Sequence, residues 1–446
     1  MVFFSSASVL ANERHPAEDA AELIRILIHE KEDTSAYFKA IEDNWQDSMI
    51  PMVLETWRFS HLPETARRLI TLLREKTGQP LIHQRTDWMV WLWNQPENKH
   101  PAYAQFKGII YSFLDKRFAK YFGLEPKTKI RLDEIVWGGV SQDGIPPLRQ
   151  PTMIAADQAD YLAEDNVVFG IEINGDARAY PKRILAWHEM FIDEIGGTKF
   201  AGVYCTLCGA VILYETVHNG VEHHMGTSGF LYRSNKLMYD QTTQSLWNST
   251  WGEPVVGPLV DQGIRLKRSY LVTTTWGEWK KRHPDTTVLA INTGFQRDYS
   301  EGAAYRNYFA IDDLMFNVPK TDNRLANKDE VVALVFPDSP DSQLAISAKF
   351  LTGNPFYQDQ LGTTSFVVLT DTSGANRVYN NTASAEKHEF VSYNGANIVN
   401  DANGMRWTMS EAELVAEDGT TLQRLPSHRA FWFGWYAAYP KTRLVY

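Results

Sequence analysis

The sequence predicts an α+β protein of more than one domain: an N-terminal helical region, then a mostly β region built from two related halves. Three observations predict it. Up to about residue 125, apolar residues recur at spacings of three and four; from about Lys127, short β-branched and aromatic runs alternate with Gly, Asn, Asp and Pro; and a set of residues in the C-terminal part recurs at one constant offset. The divisions that follow are a helical scaffold or docking region over 1–125, a first β-rich copy over 126–305 and a second over 306–446.

In the first region, Ala20 to Ile28 and Thr65 to Leu73 carry the helical period, and prolines at Pro63 and Pro101 suit first helical turns. The segments Met52 to Trp57 and Trp88 to Trp93 lie one helical-pair repeat apart, which fits either a small HEAT-like stack or an irregular bundle. No titratable cluster there has ligand spacing, and His29, His61, His83 and His100 are scattered. A scaffold that docks a protein or small-molecule partner is the expectation.

In the second region, the strand Val167 to Ile173 followed by Asn174-Gly175 reads as a hairpin, and so does Ile195 to Thr198 around Gly196-Gly197. The repeat is clearest in Leu266, Arg268, Trp276, Trp279, Pro284 and Thr286, which match Leu422, Arg424, Trp432, Trp435, Pro440 and Thr442. Upstream, Cys208-Gly209-Ala210 aligns with Ser373-Gly374-Ala375. Where the first half has Cys205 and Cys208, the second has Thr370 or Asp371 and Ser373. Where the first has Trp187-His188-Glu189, the second has Gly353-Asn354-Pro355. At these aligned positions thiols and imidazole occur in one copy alone, which places the chemistry in the first half.

Cys205 and Cys208 are all the cysteine this chain has. The spacing lets two thiolates face one point, and Gly209 relieves crowding in the turn, as a copper or zinc site requires. Two further ligands would come from His188, His223 or His224, with Met225 or Met238 for Cu(I). Only one of the adjacent histidines can face a given side of a strand, and His224 is the one favoured. The same pair can instead cycle between dithiol and disulfide, or stand as a fixed staple. If Gly196-Gly197 is a two-residue loop, opposed positions sum to 393 and His188 lies across from Cys205; the alternative is that Trp187-His188-Glu189 ends a helix begun at Pro181. Glu189 and Asp240 are candidate acids or bases, with turn or cap roles as the plainer reading. Gly226 to Gly229 lacks the full nucleophile-turn pattern, and the paired tryptophans read as core.

A net charge of −10 with no Lys/Arg block argues against nucleic acid as a partner. There is no apolar run of membrane-spanning length and no nucleotide or flavin motif. The opening Met1 to Asn12 reads as a truncated secretory signal or a plain frayed terminus. A cysteine-poor chain fits an exported or periplasmic protein, and a cytosolic one as well.

Taken in order, Gly138 to Pro147, Gly170 to Pro181, Trp187-His188-Glu189, Tyr204 to Gly209, Leu237 to Asp240, Ser245 to Trp247 and Trp279 through Asp285 resemble the bacterial domain-of-unknown-function family 3179. The resemblance covers about residues 130–446. It implies membership and no activity, and relatives that are often exported or lipid-anchored. The family commonly has proline where this chain has Thr206, and often asparagine in place of His188. His223 and His224 match no family motif. Cys205, Cys208 and the Leu237 to Asp240 segment are what the resemblance carries over.

Overall fold

The computed structural model describes residues 15–336, 340–382 and 388–446. The apolar opening Met1 to Asn12 lies outside the described residues. Two compact units emerge: one holds the chain through Pro126 together with Arg131–Asp133, the other Lys127–Ile130 with Glu134–Tyr446.

The first unit is helical. Its helices Pro16–Ile28, Ser35–Asp43, Ile50–Phe59, Pro63–Thr77, Arg85–Trp93 and Tyr103–Tyr111 are of unequal length. Pro16 and Pro63 each occupy the first turn, where a missing N–H costs nothing, and Gly78 closes the fourth helix at φ 67°. Leu23, Ile26, Phe38, Ile41, Val53, Leu69, Leu73, Trp88, Phe106 and Ile110 fill the interior. Within this apolar core, the Lys107 ammonium lies 2.5 Å from Glu55 Oε1 and the Tyr111 hydroxyl donates to Glu55 Oε2 at 2.7 Å. Burial pulls the Lys107 pKa down, against the pull of Glu55. This cluster joins residues more than fifty positions apart, so no local spacing announces it.

The second unit is mostly β, with many sheets. A five-stranded sheet runs in the order Val272–Thr275, Val167–Ile173, Asp176–Pro181, Thr287–Leu289, Met153–Ala155, its first three pairings being antiparallel, antiparallel and parallel. A four-stranded sheet, His428–Phe431, Glu330–Leu334, Leu344–Ser347, Arg443–Val445, is paired antiparallel, antiparallel and parallel. Both expected hairpins form: Ile173 pairs with Asp176 across Asn174 (φ 52°) and Gly175 (φ 82°), and Ile195 with Thr198 across Gly196 (φ 54°) and Gly197 (φ 79°). Two successive positive φ values match the right-handed twist of the flanking strands. Gly170 has a packing reason of its own, since a Cβ there would come within 2.3 Å of the Trp279 ring.

Among the described residues no helix is long and apolar enough to cross a membrane.

Candidate redox site

Strand Thr198–Cys205 turns back through Thr206 to Gly209 into strand Ala210–Glu215, with Cys205 paired to Ala210. The two cysteines are joined as a disulfide, their Cα atoms 5.3 Å apart. The loop is fixed by other bonds as well. The Cys208 amide donates to the Cys205 carbonyl at 3.1 Å, the Phe431 amide to the Cys208 carbonyl at 2.7 Å, and the Tyr308 hydroxyl to the Leu207 carbonyl at 2.8 Å. Gly434 faces Cys208, whose Cβ is 3.0 Å from where a Gly434 Cβ would stand. Cys208 Sγ lies 3.3 Å from the carbonyl of Ser234, in the turn between strands Met225–Tyr232 and Asn235–Asp240. Cys205 is 5% exposed and Cys208 not at all. Tyr204 Oη and Thr206 Oγ1 are buried with no hydrogen-bond partner among the described residues. Burial drives the Tyr204 phenol well above its ordinary pKa, so it stays protonated.

The hairpin register of 393 holds from Met190 opposite Val203 to Ile195 opposite Thr198 and stops there. His188 is the last residue of helix Lys182–His188, which Glu189 terminates in the left-handed region at φ 55°. The helical alternative for Trp187-His188-Glu189 is the one adopted. The Tyr204 amide still finds the Glu189 carbonyl at 2.9 Å, so the chain of residue 189 runs beside the strand that ends in Cys205. His188 is fully buried; its Nδ1 donates to the Pro146 carbonyl at 2.8 Å, which leaves Nε2 to accept from the Tyr299 hydroxyl at 2.5 Å. Burial lowers its pKa and favours the neutral ring.

Glu189 forms a buried ion pair with Lys236, 2.9 Å from Oε2, while the same ammonium donates to the Glu189 carbonyl at 3.1 Å. The Tyr305 hydroxyl stands 3.5 Å from the other carboxylate oxygen. Burial lowers the Lys236 pKa although Glu189 opposes it.

Asp240 lies elsewhere in its sheet. Its Oδ2 is 3.3 Å from His223 Nδ1, and its Oδ1 accepts from the Thr243 amide and hydroxyl. Burial alone would raise its pKa; these donors outweigh it and leave the carboxyl below its ordinary value. His223 is buried edge-on to Trp247, whereas His224 is exposed, 3.7 Å from Glu222. Thus the structure brings Glu189 alongside the cysteine strand, seats His188 on Pro146 and Tyr299, and puts Asp240 with His223. Among the described residues no group of three or more His, Cys, Asp or Glu side chains is arranged to hold a metal ion.

The residues that sequence reasoning passed over are Lys236, Ser234, Tyr299, Tyr305, Tyr308 and Gly434. Each reaches the site from a distant stretch of chain; the one local hint is the run of three tyrosines in ten residues from Tyr299 to Tyr308.

No curated protein and no solved structure matches the chain. A family profile described as "Protein of unknown function (DUF3179)" matches residues 142–442. That span takes in the cysteine loop, the Glu189–Lys236 pair and both tryptophan helices, and the chain belongs to this family.

Proposed function

We propose that this protein is a thiol–disulfide redox protein whose reacting pair is Cys205–Cys208. The observation that carries the reading is that the disulfide closes a loop already closed by the Cys205–Ala210 pairing and by the bonds from Phe431 and Tyr308. A cross-link over so few residues contributes little entropy, about 2 kcal/mol against about 3 for a fifteen-residue loop. Stapling is therefore a poor account of it. The reduced state is also provided for: the Ser234 carbonyl stands where a Cys208 thiol would donate.

The chemistry follows from exposure. A thiol RSH gives up its proton and its sulfur attacks Cys205 Sγ, the less buried of the two. The S–S bond breaks, its electron pair passes to Cys208 Sγ, and that sulfur takes up the proton. A second RSH attacks the R sulfur of the mixed disulfide and releases Cys205 as a thiol. Two RSH are oxidised to RS–SR and the protein disulfide is reduced to two thiols. Titrating the native protein in dithiothreitol buffers of graded oxidation should give one reversible two-electron transition. Resistance to excess reductant until the protein is denatured would overturn the reading.

Copper or zinc capture is the second reading of the same sulfurs, favoured by their convergence on one loop. It belongs to the reduced state, in which thiolates exist, and elemental analysis of the reduced protein tests it.

We further infer that the β region consists of two related copies. In its support, both sheets described above pair antiparallel, antiparallel, parallel. Trp279 Nε1 donates to Thr286 Oγ1 and Trp435 Nε1 to Thr442 Oγ1, each at 2.9 Å. Isolated bridges join Tyr214 to Arg268 and Tyr379 to Arg424. At the place of the cysteine loop, the second copy has Asp371, whose Oδ1 accepts from Ser373 N, Ser373 Oγ and Ala375 N. A carboxylate holds that turn without any covalent link, which again leaves the disulfide free for chemistry.

A further inference from the structure

Access to the disulfide is restricted. Thiol–disulfide exchange needs an incoming sulfur to reach the disulfide in line with the bond that breaks. Yet Cys205 is 5% exposed, Leu207 7%, and Thr206 and Cys208 are fully buried. Something must move before a partner's thiol can reach them.

Five elements lie over the loop. The partner strand Ala210–Glu215 pairs along its whole length with Thr198–Cys205. Ser234 sits in the tight turn of a paired hairpin, and Phe431 ends a strand paired to Glu330–Leu334. Gly434 lies in helix Trp432–Ala438, which continues from that strand. The fifth element is different. Residues 291–318, between strands Thr287–Leu289 and Glu330–Leu334, contain one short helix, Arg306–Phe309, and no strand. Their backbone-to-backbone hydrogen bonds run within the segment, Thr293 to Ile291, Ala303 to Ser300, Phe309 to Tyr305 and Ala310 to Arg306, while the carbonyls at Asp298, Tyr299 and Asp312 accept from the side chains of Trp187 at 2.7 Å, Arg183 at 2.5 Å and Asn327 at 3.2 Å. Three phenols of this segment fasten it to the site: Tyr299 on His188 at 2.5 Å, Tyr305 on Glu189 at 3.5 Å and Tyr308 on the Leu207 carbonyl at 2.8 Å. Phe309, Leu314 and Val318 complete the cover by packing with Phe431 and Phe433, and the Phe431 ring lies against Gly209. A long connection fastened by side chains and not by a ladder is the kind of segment that opens at low cost.

We infer that residues 291–318 form a strap that lifts from the Cys205–Cys208 loop to admit the reacting thiol, and that Tyr308 and Tyr305 are positioning residues that hold it shut. The inference rests on the redox reading, and its test separates the two. Rates of disulfide reduction would be measured with dithiothreitol and with thioredoxin, a bulky protein dithiol, on the full chain and on Tyr308→Phe, Tyr305→Phe and the double variant. Tyr357→Phe is the control: it removes a phenol bonded to Asp359 at 2.6 Å, away from the strap.

Tyr308→Phe loses one hydrogen bond that only the closed form makes, so reduction should accelerate about fivefold, and further in the double variant, while Tyr357→Phe stays at the parent rate. Amide exchange should quicken over 291–318 in the same variants. A parent protein that is reduced natively, with strap variants reacting at the parent rate, would overturn the strap and leave the redox function standing. Equal acceleration by Tyr357→Phe would also overturn it, because general loosening would then suffice. A disulfide that resists both reductants in every folded variant would overturn the redox reading itself. Should Tyr308→Phe fail to fold, Tyr305→Phe carries the same test.

Discussion

Cys208 Sγ lies 3.3 Å from the carbonyl oxygen of Ser234. In the disulfide that contact carries no proton; in the dithiol it becomes a hydrogen bond from Cys208, the fully buried cysteine of the pair. One fixed backbone thus serves both oxidation states, and reduction need not rearrange the loop.

Replacing both cysteines should therefore be mild. Cys205→Ser with Cys208→Ser should lose no more than about 2 kcal/mol in urea unfolding, the closure entropy of so short a loop. A loss of about 4 kcal/mol or more, the range of long-loop staples, would return the pair to a structural role.

The Glu189–Lys236 pair behaves differently, because both side chains are buried. Lys236→Met strands a carboxylate and should cost about 3–5 kcal/mol. Adding Glu189→Gln should restore most of that loss. A double variant as unstable as the single one would mean that packing at Lys236, and not charge, sets the cost.

His428 gives the unit an acid-sensitive point. It packs at 5.7 Å from Trp435, its Nε2 has no partner among the described residues, and burial, with Arg268 adding to it, lowers its pKa from 6.5 to about 3. Because the folded value is the lower one, the unfolded chain takes up the proton first. The stability that the neutral ring secures is whole above pH 6.5 and declines as the pH falls toward about 3, by at most about 1.4 kcal/mol per unit. In urea titrations from pH 7 to pH 4, His428→Leu should show a shallower decline than the parent. Parallel profiles would exclude His428 as the source.

If the two β copies are related as inferred, their tryptophan helices should respond alike. Thr286→Val and Thr442→Val each leave a buried indole N–H unpaired and should each cost about 1–3 kcal/mol. Costs that differ by more than about 2 kcal/mol would show that one of the two pairs does a separate task.

What could be read from the sequence was local. Asn174-Gly175 and Gly196-Gly197 specify their turns by their own backbone freedom, and a two-residue turn fixes register, so Met190 opposite Val203 followed from the loop alone. The extension of that register to His188 failed because the left-handed Glu189 ends a helix at that point, and a two-residue period does not show where a strand stops. Alternation separates His223 from His224 but does not say which faces inward; His223 does, against Trp247. The partners of the site were hidden for a simpler reason. Tyr308 meets Leu207 across 101 positions and Lys236 meets Glu189 across 47, and contacts of that span leave no periodic trace.

The measurement that bears most directly on the account is redox titration of the native protein with a thiol count at each point. Cys205 and Cys208 should convert together, reversibly, between no free thiols and two, while the fold persists. Thiols that appear only after denaturation would contradict it and leave the pair a closed link.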